Sequence, residues 1–180
     1  MIVTIKTGGI TMQHRIRAAA LVFSEDKKSL LLIKHVHPET SRTWWVPPGG
    51  GVEEMDDSIF HTAERETFEE AGITVKTTGT IRYIREFYEE TRDILHLELF
   101  VDAEYIGGEA TTENIFGKGP DEHFIKEAAW LTREQMRGLL IFPEIAHEDL
   151  FWEDKKASGL YLEKQIEKKR ENDGRQIQAI

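Results

Sequence analysis

The apolar positions of the chain fall into runs of different period. Residues 15–23, RIRAAALVF, and 29–37, SLLLIKHVH, are nearly continuous apolar stretches separated by the polar SEDKK. Each predicts a buried strand. Residues 38–58 are rich in Pro and Gly and predict one long ordered loop, of a length that in compact domains usually carries function. The period then changes to that of a helix over Ile59–Ala71, with Asp57 or Ser58 to cap its start and Gly72 to end it. At about 100° per residue, Phe60, Ala63, Thr67, Phe68 and Ala71 form its inward face. Glu66, Glu69 and Glu70 fan out beside that face.

Beyond the helix, ITVKTTGTIRYIREFYEE and DILHLELFVDAEYI predict two long strands joined near TRD. In the second, Leu95, Leu97, Leu99 and Val101 alternate with Ile94, His96, Glu98 and Phe100. The leucine face is expected to be core, and the face with His96 and Glu98 to border a cleft. A loop over 107–123 follows. FIKEAAWL then predicts a short strand, TREQMRGLL a helix opening at Thr132, and FPEIAHEDLFWEDKKASG a further helix from Pro143 to Gly159. One domain over 1–163 and a polar, charged tail over 164–180 is the expected division.

The three glutamates pose a problem for the helix. Positions 66, 69 and 70 are helical neighbours, and like charges at that spacing cost about 0.2–0.5 kcal/mol per pair. A solvated face tolerates this repulsion, and a cation held between the carboxylates removes it. The net charge of −10 argues against non-specific binding to nucleic acid or an anionic membrane, while leaving room for a phosphate-bearing ligand neutralised locally. The absence of cysteine excludes disulfides, thiolate zinc sites and cysteine nucleophiles. The first residues lack the apolar core of a signal peptide, and the longest apolar runs are too short to span a bilayer. The expectation is a soluble, cytoplasmic protein.

Read together, GGGVEEMDDSIFHTAERETFEEAGI (49–73) resembles the Nudix box, Gly-x5-Glu-x7-Arg-Glu-U-x-Glu-Glu-x-Gly-U with U apolar. Gly51, Arg65, Glu66, Glu69, Glu70, Gly72 and Ile73 match in register. Asp57 stands where the family has Glu, and Thr67 where it has an aliphatic residue. WWVPPGGG and EAAW (127–130) are similar to the family's flanking segments, and the likeness extends to about Leu162.

The resemblance implies an α/β fold, a Nudix-type α/β/α sandwich with a mixed sheet and a loop–helix–loop catalytic motif. It implies a Mg²⁺-dependent pyrophosphohydrolase, with Mn²⁺ as a substitute, that cleaves the diphosphate of a nucleoside diphosphate linked to another moiety. Glu66 and Glu70, then Glu69, with the carbonyl of Gly51, are the implied metal ligands. Oxygen donors of this kind suit Mg²⁺. Arg65 is expected to pair with Asp57 or a neighbouring carboxylate and fix the loop against the helix. Catalytic candidates are Glu69, Glu70, Arg65 and Glu127, with Glu113 and Glu122 as further candidates for the general base. The Thr67 hydroxyl can bond back to the preceding turn.

Other residues keep two readings. Trp44 and Trp45 either anchor the loop or stack on a substrate ring. His96 reads better as a satisfied strand histidine than as a ligand. Tyr88 resembles a tyrosine of dinucleoside-polyphosphate hydrolases in the family, and Trp130 reads as core. Arg15, Arg17, Lys34, Arg42, Arg82 and Arg85 either offset substrate phosphates or are surface charges. The alternative function is a non-catalytic Nudix-like sensor of a nucleotide metabolite. An isopentenyl diphosphate isomerase is set aside because the chain has no cysteine. The family leaves a homodimer open, and no motif here supports one.

Overall fold

The computed structural model describes residues 2–7, 10–90, 92–117, 120–153 and 162–164. Its centre is a mixed sheet in the order β1 (Ile2–Thr7), β2 (Ile10–Val22), β7 (Ile94–Gly108), β6 (Ile73–Glu89), β9 (Leu162–Lys164). The β2–β7 and β6–β9 pairs are parallel; β1–β2 and β6–β7 are antiparallel. A short strand, β5 (Gly49–Gly51), pairs with β2. A second sheet has the order β4 (Thr43–Val46), β3 (Ser29–Val36), β8 (Ile125–Thr132).

The apolar runs of β2 and β3 are buried on both faces, which is why they do not alternate with polar residues. Ala18, Ala20 and Val22 join Leu31, Ile33, Ala63, Ala71 and Ile73 in one core cluster. Ala19 and Leu21 face the other way, with Leu30, Leu32, Trp45, Tyr83 and Phe100. The helix α1 (Ile59–Ala71) covers the first of these faces.

The limits of α1 agree with the sequence. Ser58 Oγ accepts the His61 amide, a cap worth about 1 kcal/mol, and Gly72 closes the helix at φ 67°. Its buried side is rotated from expectation. Thr62, Ala63, Thr67, Glu70 and Ala71 are buried, and Phe68 is exposed. Thr67 bonds back to the Ala63 carbonyl at 2.6 Å, so its hydroxyl is satisfied inside the core.

Three other expectations are corrected. The 38–58 segment is not one loop, since it contains β4 and β5. In β7 the buried face is Ile94, His96, Glu98 and Phe100, while Leu95, Leu97 and Leu99 are half-buried. The described part of the 143–159 helix is broken: a 3-10 turn (Glu144–His147) precedes a short α3 (Asp149–Trp152), because Glu148 between them is extended, and 154–159 lie outside the described residues. The helix at Thr132 is a single turn, α2 (Arg133–Met136), with a capping box. The charged tail lies outside the described residues apart from the Lys164 backbone.

Candidate active site

The site forms where β5 meets α1. Pairing of β5 with β2 sets Arg17 opposite Gly51, Ala18 opposite Gly50 and Ala19 opposite Gly49. This lays the glycine backbone along the flank of α1 that carries the glutamates. The Gly49 amide donates to Glu70 Oε2 at 2.9 Å, and Glu70 is buried. Gly50 lies so close to Glu66 that a β-carbon there would come within 2.3 Å of Oε1. Only glycine allows this approach.

Arg65 is the hub. Its Nε and Nη2 donate to Asp56 Oδ1 and Oδ2 at 3.0 and 2.9 Å, the bidentate arrangement that guanidinium and carboxylate favour. Nη2 also donates to the Gly51 carbonyl at 3.3 Å. Nη1 donates to Glu66 Oε1 at 2.8 Å and Glu69 Oε2 at 3.1 Å. Two of the three box glutamates thus converge on one guanidinium nitrogen.

The partner of Arg65 is therefore Asp56, the neighbouring carboxylate, and not Asp57. Asp56 Oδ2 also accepts the Glu53 amide and the Thr62 hydroxyl, both at 2.9 Å, and its side chain is fully enclosed. The Arg65 hydrogen bonds, helped by those from Glu53 and Thr62, hold its carboxyl well below the usual carboxylate range against the opposing effect of burial. Asp57 is exposed, and its amide bonds His61 Nδ1 at 3.3 Å. Counted from Gly50, the five-residue spacing of the motif lands on Asp56. Eight residues then separate Asp56 from Arg65, one more than the motif's seven.

Glu66 is mostly buried, with 13% of its side chain exposed. Burial pushes its carboxyl above the ordinary range despite the opposing pull of Arg65. The helix repulsion is thus relieved in part by Arg65 and in part by the Gly49 amide. Among the described residues, no three Asp, Glu or His side chains form a ready-made cation cage; Glu66 and Glu69 are drawn to the guanidinium instead. The donor set nonetheless fits a hard divalent cation. Carboxylate oxygens of Glu66 and Glu69 meet around one positive charge, and Gly50 leaves room for the Glu66 carboxylate where any side chain would fill it.

The remaining candidates lie elsewhere. Glu127, on β8, pairs with Lys34 at 3.2 Å. Glu113 is exposed in a 3-10 turn (Glu113–Ile115), and Glu122 accepts the Gly117 amide. Trp45 is buried in the core, whereas Trp44 is half-buried and stacks on His35. Trp130 packs against the core as a partly buried residue. His96 stacks on Phe87 and bonds Glu89 at 2.8 Å, as a satisfied strand histidine would. The Tyr88 hydroxyl donates to Asp93. Two residues that the pattern did not single out are Asp56 and Arg17. The latter was one of several basic residues, and its place inside an apolar run is the signal that sets it apart.

The model of the NUDIX domain matches residues 13–151, most of the chain. The chain belongs to the NUDIX family, and with it to hydrolases acting on phosphoric anhydrides. Solved structures agree on the fold. A MutT NUDIX hydrolase from Burkholderia pseudomallei is 20% identical, with 71% of this chain and 90% of that one covered at a TM-score of 0.55. An ADP-ribose pyrophosphatase from Streptococcus suis is 17% identical, with 82% and 96% covered at 0.54. A MutT protein from Methanosarcina mazei Go1 is 24% identical, with 70% and 82% covered at 0.53. Among the described residues no helix is long and apolar enough to cross a membrane.

Proposed function

We propose that this chain is a Mg²⁺-dependent pyrophosphohydrolase that cleaves the diphosphate of a nucleoside diphosphate linked to another moiety. The observation that carries the reading is the convergence of Glu66 and Glu69 on Arg65 beside the Gly49–Gly51 backbone, with Glu70 bound to that backbone. Glu66, Glu69 and Glu70, with the Gly51 carbonyl, would hold the cation. A divalent ion there supplies charge neutralisation of the phosphates and a more acidic water.

The chain's own residues supply the rest. Arg65 and Asp56 hold loop and helix in register, so the Gly51 carbonyl and the Glu66 carboxylate stay side by side. The close backbone of Gly49–Gly51 lets phosphate oxygens approach without steric conflict. Glu69 and Glu70 remain the nearest candidates to take a proton from the attacking water; Glu127 is engaged with Lys34 instead.

The test is a screen of nucleoside diphosphate derivatives with Mg²⁺ and with Mn²⁺, reading products by mass. The structural relative bearing the name ADP-ribose pyrophosphatase suggests ADP-ribose as the first compound. The expected products are a nucleoside monophosphate and a phosphorylated remainder. Binding of such compounds without turnover would favour a sensor instead.

A further inference from the structure

The peptide that carries the reactive loop is gripped from two sides. On the α1 side, the Gly49 amide donates to Glu70. On the other side lies Arg17, on β2 and buried. Arg17 Nε and Nη2 both donate to the Gly49 carbonyl, at 3.1 and 2.7 Å, and Nη2 also donates to the Pro47 carbonyl at 3.1 Å. A single residue, Gly49, therefore joins Glu70 to Arg17 through its two backbone groups.

Arg17 is itself braced from behind. Its Nη1 lies 3.8 Å from Glu98 Oε1, and Arg85 Nη1 donates to Glu98 Oε2 at 3.0 Å. Register explains the row: Arg17 and Arg85 sit opposite Glu98 on its two neighbouring strands. All three are more than nine-tenths buried or close to it. Three charges in the interior are a poor source of stability. Their geometry serves instead to aim one guanidinium fork at two carbonyls of the loop.

We propose that Arg17 is a positioning residue: it sets the Gly49–Gly51 backbone against Glu66 and Glu70, with Glu98 and Arg85 fixing its own orientation. The role rests on the site assignment above. Lysine in place of Arg17 keeps the charge near Glu98 but has no planar fork to bridge two carbonyls.

The experiment compares the wild-type protein with Arg17→Lys and with Arg82→Lys, a control that alters the Arg82–Asp102 pair away from the loop. Three quantities are read: hydrogen exchange of the Gly49 amide, Mn²⁺ affinity, and kcat and KM. Arg17→Lys should speed Gly49 exchange at least about tenfold, weaken Mn²⁺ binding several-fold and lower kcat at least about tenfold, with KM changed less than threefold. Arg82→Lys should leave all three near wild type even at a matched melting temperature. Unchanged Gly49 exchange and kcat in folded Arg17→Lys would overturn the proposal, as would equal losses in both variants. Should Arg17→Lys not fold, Glu98→Gln decides on the same readouts. It keeps the shape and one acceptor oxygen, and it removes the charge and the second acceptor that face Arg17 and Arg85. Gly49 exchange needs neither metal nor substrate, so an inactive wild type would refute the hydrolase reading while leaving Arg17 testable.

Discussion

Arg65 grips Asp56 through the Nε–Nη2 edge of its guanidinium, at 3.0 and 2.9 Å, although Asp57 is the residue that the motif's spacing from Gly51 designates. The motif's interval from Gly51 to Arg65 is kept, and the ion pair forms one position earlier than it designates.

This exchange of partners is directly testable. Asp56→Ala takes from Arg65 its bidentate partner and from the Glu53 amide and the Thr62 hydroxyl a shared acceptor; it should cost about 3 kcal/mol, lowering the melting temperature by roughly 6–12 °C. Asp57→Ala alters an exposed side chain and should stay within about 0.5 kcal/mol of wild type. Thermal melts of the two variants check this, and equal effects would return Asp57 to the role that its spacing gives it.

Acid should act through the same pair. The Asp56 carboxyl titrates well below its ordinary value because Arg65 and its other donors favour the charged form. Its stabilisation is thus complete above the unfolded-state pKa of about 4 and is lost as pH falls below it toward the folded value. Asp56→Asn lacks that term. The stability gap between wild type and Asp56→Asn, measured by chemical denaturation from pH 7 to 3, should narrow below about pH 4. A gap independent of pH would contradict the assignment.

Much of this site is legible in the sequence because it is local. The limits of α1, the Gly72 end and the grouping of three glutamates follow from spacing alone. Asp56 carries no mark in the sequence because the intervals from Gly51 and to Arg65 both designate Asp57, and only the loop's path brings Asp56 to the guanidinium. The strands β4 and β5 were hidden because short, Trp- and Gly-rich segments carry no alternation. The β7 face was inverted because both faces bear apolar residues. Burial of Glu98 depends on Arg17 and Arg85, which come from other strands and leave no mark near residue 98.

Glu70→Gln should reduce turnover at least about a hundredfold, the scale of a lost catalytic base or ligand. Its fold should persist, since the amide oxygen can still accept the Gly49 N–H. Steady-state kinetics with a melting curve as control decide the matter. Near-wild-type activity would remove Glu70 from the site.

Gly50→Ala places a methyl group against the Glu66 carboxylate, within 2.3 Å of Oε1 unless the carboxylate moves. The expected result is a folded protein with at least about tenfold lower activity and weaker Mn²⁺ binding, consistent with sub-ångström misplacement at a reactive centre. Wild-type Mn²⁺ affinity in this variant would show that Glu66 need not lie against Gly50.

If Glu66, Glu69 and Glu70 form the cation site of a phosphoanhydride hydrolase, activity and stability respond together to the metal. The decisive measurement is hydrolysis of the nucleoside diphosphate panel as a function of free Mg²⁺, with the melting temperature followed in the same titration. Turnover should rise and saturate with Mg²⁺, vanish with chelator, and be accompanied by a rise in melting temperature, as for any ligand of the folded state. Turnover indifferent to chelator, or a panel untouched by the protein at saturating Mg²⁺ and Mn²⁺ with no thermal shift, would contradict it.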